Sequence, residues 1–321
     1  MKKILIIDGY NTFVRNYVVN PSLDPRGAPI GGTFGFLKSL QKLVRETQPS
    51  KIIVAWDGQG GSAKRKKMVK DYKDGRKPLQ LNRNVDQDLT PDQEAENRRD
   101  QFLRLVEYLN DMPVAQLILD DVEADDIIAY ICQLESLKGY IKVIVSSDKD
   151  FFQLCNDDVM VLRPIQDEVL NEIRIVEKFD IHPNNFALAR AIVGDKSDNL
   201  PGVRGAGMKT VAKRFPQLRG SESVSLKELF ECCKSNEETL KLYRDILEEK
   251  DVVKLNYKMM QLYSPNISAR GTRYIRDIVN NFIPTFNRTE TEKRMIYDNF
   301  VGYNWNSLFG NFKTIVSDAQ S

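Results

Sequence analysis

The sequence contains one histidine, His182, in 321 residues. Ser-His-Asp triads and most imidazole acid–base schemes are thereby nearly excluded, and any hydrolysis must activate water by other means. Cysteine is scarce too. Cys132, Cys155, Cys232 and Cys233 show no CxxC spacing, and the adjacent pair makes a poor disulfide framework. A reducing, cytoplasmic compartment is the plain expectation. No apolar run approaches the ~18 residues of a membrane span. The opening MKKILIID meets an acid at Asp8 and reads as a buried strand, not a secretory signal. Excess charge of one sign is also missing: 47 Lys and Arg face 45 Asp and Glu, a formal net charge of +2. With 41% apolar and 29% charged residues, the chain has the make-up of a globular protein and not of a disordered one. Its length allows one large domain or two modest ones.

The charges that are present are segregated. Residues 64–77, KRKKMVKDYKDGRK, carry eight Lys or Arg against two Asp. Acids gather elsewhere, at Asp8, Asp57, Glu123–Asp126, Asp148, Asp150, Asp195 and Asp198. Metals held beside a polyanion require such a separation of signs.

The first half alternates strand and helix. KILIID (3–8), KIIVAWD (51–57), QLILD (116–120) and KVIVSSD (142–148) read as buried strands. Residues 32–47, 91–112 and 123–137 read as helices, the second opening at Thr90-Pro91 as cap and first turn. This alternation predicts an α/β fold with a central, mostly parallel sheet and helices on both faces. From 180 onward helices at 184–193 and 208–216 flank a glycine-rich loop at 194–207, and the rest is mainly helical. The expected organisation is a core over 1–180 with a basic segment at about 58–90, a second region over 181–220 and a helical region over 221–321. The aromatics Phe282, Phe286, Tyr297, Phe300, Tyr303, Trp305, Phe309 and Phe312 are expected in the core.

Ligands of parallel sheets bind beyond the carboxyl ends of the strands. Asp8, Asp57 and Asp148 each stand at such an end. One strand-end Asp is ordinarily a turn or a cap, but three on separate strands point to one rim. VEADD (122–126) adds Glu123, Asp125 and Asp126 at a helix start, where acids also suit the dipole. SSDKD adds Asp150, and GDKSD adds Asp195 and Asp198. Crowded carboxylates repel one another, and a cation is the simplest compensation. All these donors are oxygens, so Mg²⁺ or Mn²⁺ suits them and zinc does not. Two such ions ~4 Å apart can activate water for in-line phosphodiester displacement without histidine.

In sequence order, DGYN (8–11), WD (56–57), YKDGRKP (72–78), VEADDIIAYI (122–131), VSSDKDFFQL (145–154) and VGDKSDNLPGVRGAGMKT (193–210) resemble the motifs of the 5′-nuclease family. That family comprises flap endonucleases, the 5′-nuclease domain of bacterial DNA polymerase I and phage 5′-exonucleases, with the phage type most similar. The resemblance covers roughly residues 3–215. It implies a PIN-like core, a helical arch, a helix–hairpin–helix and 5′-flap or 5′→3′ exonuclease action on branched DNA. It places Asp8, Asp57, Glu123 and Asp125 near one metal ion, and Asp126, Asp148, Asp150, Asp195 and Asp198 near a second. In the arch, Lys73, then Arg65, then Arg76 are the expected cations over the scissile phosphate. Lys64, Lys66, Lys67 and Lys70 would draw in the backbone, and Tyr72 would stack on a base or pack in the core. Gly58, Gly60 and Gly61 suggest a hinge before the arch. Gly202, Gly205, Gly207, Lys209 and Thr210 would cradle a duplex phosphate, with a K⁺ ion at the same turn. A freestanding monomer is expected.

Two rival classes fit less well. GDKSD also occurs in haloacid-dehalogenase-type phosphatases, but Gly9 and Tyr10 follow Asp8 where those enzymes need a second Asp. A non-catalytic junction-binding module would keep the basic run and the hairpin without needing nine acids. Removal of RNA primers from RNA–DNA hybrids is a variant of the favoured reading, although nothing in these residues reads a 2′-hydroxyl.

Overall fold

The structure is a computed structural model that describes residues 2–75 and 89–320. Arg76 and the end of the YKDGRKP motif therefore lie outside the described residues. Six strands form one sheet: β1 (Lys3–Asp8), β2 (Lys51–Asp57), β3 (Val114–Leu119), β4 (Ile141–Val145), β5 (Val159–Arg163) and β6 (Glu168–Leu170). Their order is β3-β2-β1-β4-β5-β6, parallel except for the antiparallel β5–β6 edge. Strand pleating sorts the apolar runs between two cores. Ile4, Ile6, Ile53 and Ala55 enter one, while Leu5, Ile7, Ile52, Val54 and Trp56 enter the other.

In chain order the helices up to residue 214 are α1 (Gly9–Val19), α2 (Gly31–Thr47), α3 (Ala63–Met68), α4 (Pro91–Asn110), α5 (Ala124–Cys132), α6 (Glu172–Phe179), α7 (Pro183–Val193) and α8 (Met208–Arg214). The expected helix over 123–137 stops at Cys132, and a separate short turn covers Glu135–Leu137. There the chain must reverse to enter β4, and Gly139 takes a positive φ of +79° to do so. Sequence periodicity did not reveal α1, α6, β5 or β6. Thr90 caps α4 with a reciprocal capping box to Gln93, as its sequence predicts.

The remaining helices are α9 (Leu226–Ser235), α10 (Lys241–Glu248), α11 (Lys250–Met260), α12 (Ala269–Asn281), α13 (Arg288–Tyr297) and α14 (Asn306–Gln320). Their buried residues join the two sheet cores. Leu229, Ile246, Val253, Ile275 and Val279 enter one; Met295, Phe300, Leu308 and Phe312 enter the other. A clasp fastens the second set, with Arg104 Nε and the Tyr108 hydroxyl both donating to Asp298 Oδ2, at 2.8 and 2.7 Å. Tyr297 departs from the expected core set. It is 68% exposed, and its ring lies against Arg104. Among the described residues no helix is long and apolar enough to cross a membrane.

Candidate active site

The site is built at the carboxyl ends of β1, β2 and β4, the three adjacent central strands. Asp8 ends β1 and caps α1. Its Oδ1 accepts the Asn11 amide at 3.2 Å and its Oδ2 accepts the Ser146 hydroxyl at 2.9 Å. Burial, and then the neighbouring Asp57, push its pKa up to about 7. Asp57 ends β2 and accepts the Ala124 amide at 2.9 Å, which ties that strand end to the first turn of α5. In that turn Asp125 is raised well above the usual carboxylate range by burial, then by Asp148 and Asp8. Asp148 is raised chiefly by burial, and its Oδ1 accepts the Asp150 amide at 2.8 Å. Asp150 reaches about 7 through burial and then Asp148. The strand ends thus gather acids that raise one another, a local excess of negative charge on a desolvated rim.

Arg65, Lys73 and Arg190 stand against this excess, and Arg15 lies within the field of Asp8. Arg65, only 7% exposed, donates from Nη1 to Glu123 Oε2 at 2.5 Å and to Asp126 Oδ2 at 2.8 Å, while its Nε donates to the Met259 carbonyl at 3.2 Å. Lys73 Nζ donates to Glu123 Oε1 at 2.8 Å. Arg190, on α7, bridges Asp150 and Asp195 at 3.0 and 2.5 Å. Sequence reasoning missed Arg190, because an arginine within FALARAIV carries no local signal.

The sequence-chosen acids do not all take the same place. Asp8, Asp57, Asp125, Asp148 and Asp150 interact on the rim, and Glu123 adjoins them through Lys73. Asp198 contributes to the field at Lys73 and Asp148, and its backbone carbonyl accepts the Lys73 amide at 3.1 Å. Asp126 is turned instead to Arg65 and to the Asn266 amide at 2.9 Å. Among the described residues no group of three or more Asp, Glu, His or Cys side chains stands ready to hold an ion. The donor chemistry nevertheless suits a hard dication: all oxygen, mutually repelling and short of positive charge.

The basic run is only briefly helical. After α3 the chain continues in turns to residue 75. Lys66 pairs with Asp74 at 2.8 Å, Lys64 reaches Asn266 at 3.4 Å, and Lys67 and Lys70 are exposed. Tyr72 is buried to 4% exposure against Leu200, Met259 and Met260, so it packs and does not present a ring for stacking. Asn199 Nδ2 donates to the carbonyls of Asp71 and Asp74 at 2.8 and 2.5 Å, which docks this segment on the loop after α7. The glycines ahead of α3 form a fixed turn. The Gly58 amide bonds to Val122 and the Gly61 amide to Gly58, and a Cβ at Gly58 would lie 1.7 Å from the Leu119 carbonyl oxygen.

Helices α7 and α8 with the loop 194–207 form a helix–hairpin–helix. Gly205 holds a φ of +78°. A Cβ at Gly202 would lie 1.8 Å from the Val193 carbonyl oxygen. Gly207 precedes α8 in open space, Lys209 is exposed and Thr210 is half-buried. Ala206 is buried and its amide bonds to Val203 at 3.0 Å, so the turn keeps its shape with this small residue.

Against known proteins, the family model for the 5′-3′ exonuclease N-terminal resolvase-like domain matches residues 3–180. The chain belongs to this family. A 5′-3′ exonuclease of Aquifex aeolicus is 32% identical over 274 residues, covering 82% of this chain and 83% of that protein. The thermostable DNA polymerase I of Thermus aquaticus is 32% identical over 228 residues, 71% of this chain but only 25% of the polymerase. The match to this chain therefore spans about a quarter of that polymerase. A complex of bacteriophage T5 flap endonuclease with DNA and metal ions has the same fold, with a TM-score of 0.67 at 18% identity over 87% of this chain and all of that one.

Proposed function

We propose that this family member is a divalent-metal-dependent, structure-specific 5′-nuclease. It hydrolyses phosphodiester bonds in DNA beside single-strand/duplex junctions, as flap endonuclease and 5′→3′ exonuclease, in replication or repair. The observation that carries the reading is the rim of mutually repelling carboxylates, buried Asp8 and half-buried Asp125, Asp148 and Asp150, with Lys73 beside it. Asp8, Asp57, Glu123 and Asp125 are suited to one Mg²⁺ or Mn²⁺, and Asp148, Asp150, Asp195 and Asp198 to a second. Asp126, already engaged by Arg65 and Asn266, supports Glu123 from behind. Bound ions of this kind supply a water nucleophile at neutral pH and neutralise developing charge on phosphate oxygens.

The chain's own residues supply the rest. Lys73 is the partly exposed cation at the rim and turns from Glu123 to the scissile phosphate. Arg65 is too buried for that task and holds Glu123 in place. Exposed Lys67 and Lys70 attract the single strand, and the amides and Lys209 at the start of α8 hold the duplex backbone without reading sequence. The bacteriophage T5 relative, held with DNA and metal ions, supports this assignment of partner. The test is cleavage by the Asp148→Ala protein. It should bind a 5′-flap in Ca²⁺ with near-normal affinity by fluorescence anisotropy, yet give no product in Mg²⁺. Retained cutting by this variant rejects the rim as the site.

A further inference from the structure

Arg190 connects two parts of the site that no other side chain bridges in the same way among the described residues. It lies in the last turn of α7 and is 9% exposed. Its Nε donates to Asp150 Oδ1 at 3.0 Å and its Nη2 to Asp195 Oδ2 at 2.5 Å. Asp150 opens the turn after β4, on the sheet. Asp195 opens the loop that becomes the hairpin. The other oxygen of Asp195 is satisfied locally, by the Ser197 amide and hydroxyl at 2.7 and 2.6 Å. The other oxygen of Asp150 has no hydrogen bond among the described residues.

The mount around this tie is stiff. The Gly194 amide bonds to the Arg190 carbonyl at 2.7 Å, and Asp195 and Leu200 exchange both backbone bonds at 2.8 Å. Asn256, fully buried on α11, donates to the Ala191 and Pro201 carbonyls at 3.0 and 2.7 Å, tying the middle of the loop to the end of α7. A planar guanidinium can address two carboxylates in fixed directions at once, whereas an ammonium is a point charge without that fork.

We propose that Arg190 is the positioning residue of one metal pocket: it aims Asp150 and Asp195 at a shared divalent ion and, through Asp195, fixes the hairpin relative to the cutting site. This rests on the nuclease reading above. Without Arg190 the two acids lose their common direction and repel each other. The pocket of Asp8, Asp57 and Asp125 touches Arg190 through no hydrogen bond and keeps its geometry.

The test is Mn²⁺ titration of the full-length protein, following free Mn²⁺ by electron paramagnetic resonance, with flap cleavage at saturating DNA alongside. The wild-type protein should take up two ions. Arg190→Met should keep one ion at unchanged affinity and weaken the other by about 10–100-fold, the range for residues that orient metal ligands. Its kcat should fall while KM for flap DNA stays within about threefold. Arg190→Lys should restore part of both losses. If thermal denaturation finds Arg190→Met unfolded, Arg190→Lys carries the test and must show the same one-site weakening at smaller fold. Two wild-type sites in a folded Arg190→Met, or in Arg190→Lys in that case, overturn the proposal, as does equal weakening of both sites. A wild-type protein that binds no Mn²⁺ overturns the nuclease reading itself, and this proposal with it.

Discussion

Arg65 and Lys73 come from the same basic run and both reach Glu123, yet their settings give them different work. Arg65 is pinned by two carboxylates and a carbonyl in a buried pocket. Removing it would strand buried acids, a structural loss. Lys73 has one carboxylate partner and a side chain 22% exposed, on backbone with a φ of +59°. In the proposed reaction it exchanges that partner for a phosphate. Lys73→Ala should therefore lower the single-turnover cleavage rate by about 10²–10³, the usual cost of losing one charge-stabilising donor. DNA affinity in Ca²⁺ should change little. Quench-flow with enzyme in excess checks this, and an unchanged rate removes Lys73 from the reaction. At this scale the acids were legible, because so many carboxylates at strand and helix ends have no economical explanation without a cation. Arg190 was not, and Tyr72 was left open between a base and the core, since both depend on partners distant in sequence.

Elements were legible where their periodicity is strong. Four of the five parallel strands, β1 to β4, follow from continuous apolar runs, and α4 from its cap, proline and apolar face. Helix α1 was hidden because Asn11, Thr12 and Asn16 interrupt its apolar stripe. Two of them reach beyond the helix: the Asn16 Oδ1 accepts from Ser39 at 3.3 Å and the Asn11 Oδ1 accepts the Ser147 amide at 3.5 Å. The β5–β6 edge was hidden because its second strand has only three residues. The C-terminal helices carried little local signal beyond aromatics expected in the core, and their buried residues join both cores. Phe312 on α14 is fully buried beside Phe286 at 5.2 Å between ring centroids. Phe312→Ala should cost about 3–5 kcal/mol, as for other large-to-small changes in a packed core. Urea denaturation measures it, and a loss under about 1 kcal/mol would mean that α14 is peripheral to folding.

For the molecule as a whole, the near-zero net charge conceals a deliberate arrangement of opposite signs. Acids are carried to one rim by the parallel sheet, and the segment 71–74 that follows α3 is held against that rim by Asn199. The same loop leads from Asp195 into the glycine hairpin, so one stretch of backbone joins the docking point of the basic segment to an acid tied to the rim and to the turn proposed to bind duplex. A rigid unit of this kind should cut at a set distance from a junction. The decisive measurement is product length from a 5′-labelled flap incubated with the purified protein in Mg²⁺ and in EDTA. The account predicts one labelled fragment of flap length, or one nucleotide longer, in Mg²⁺ alone. A mobility shift of the flap with no product in Mg²⁺ would contradict it and leave a junction-binding protein without catalysis.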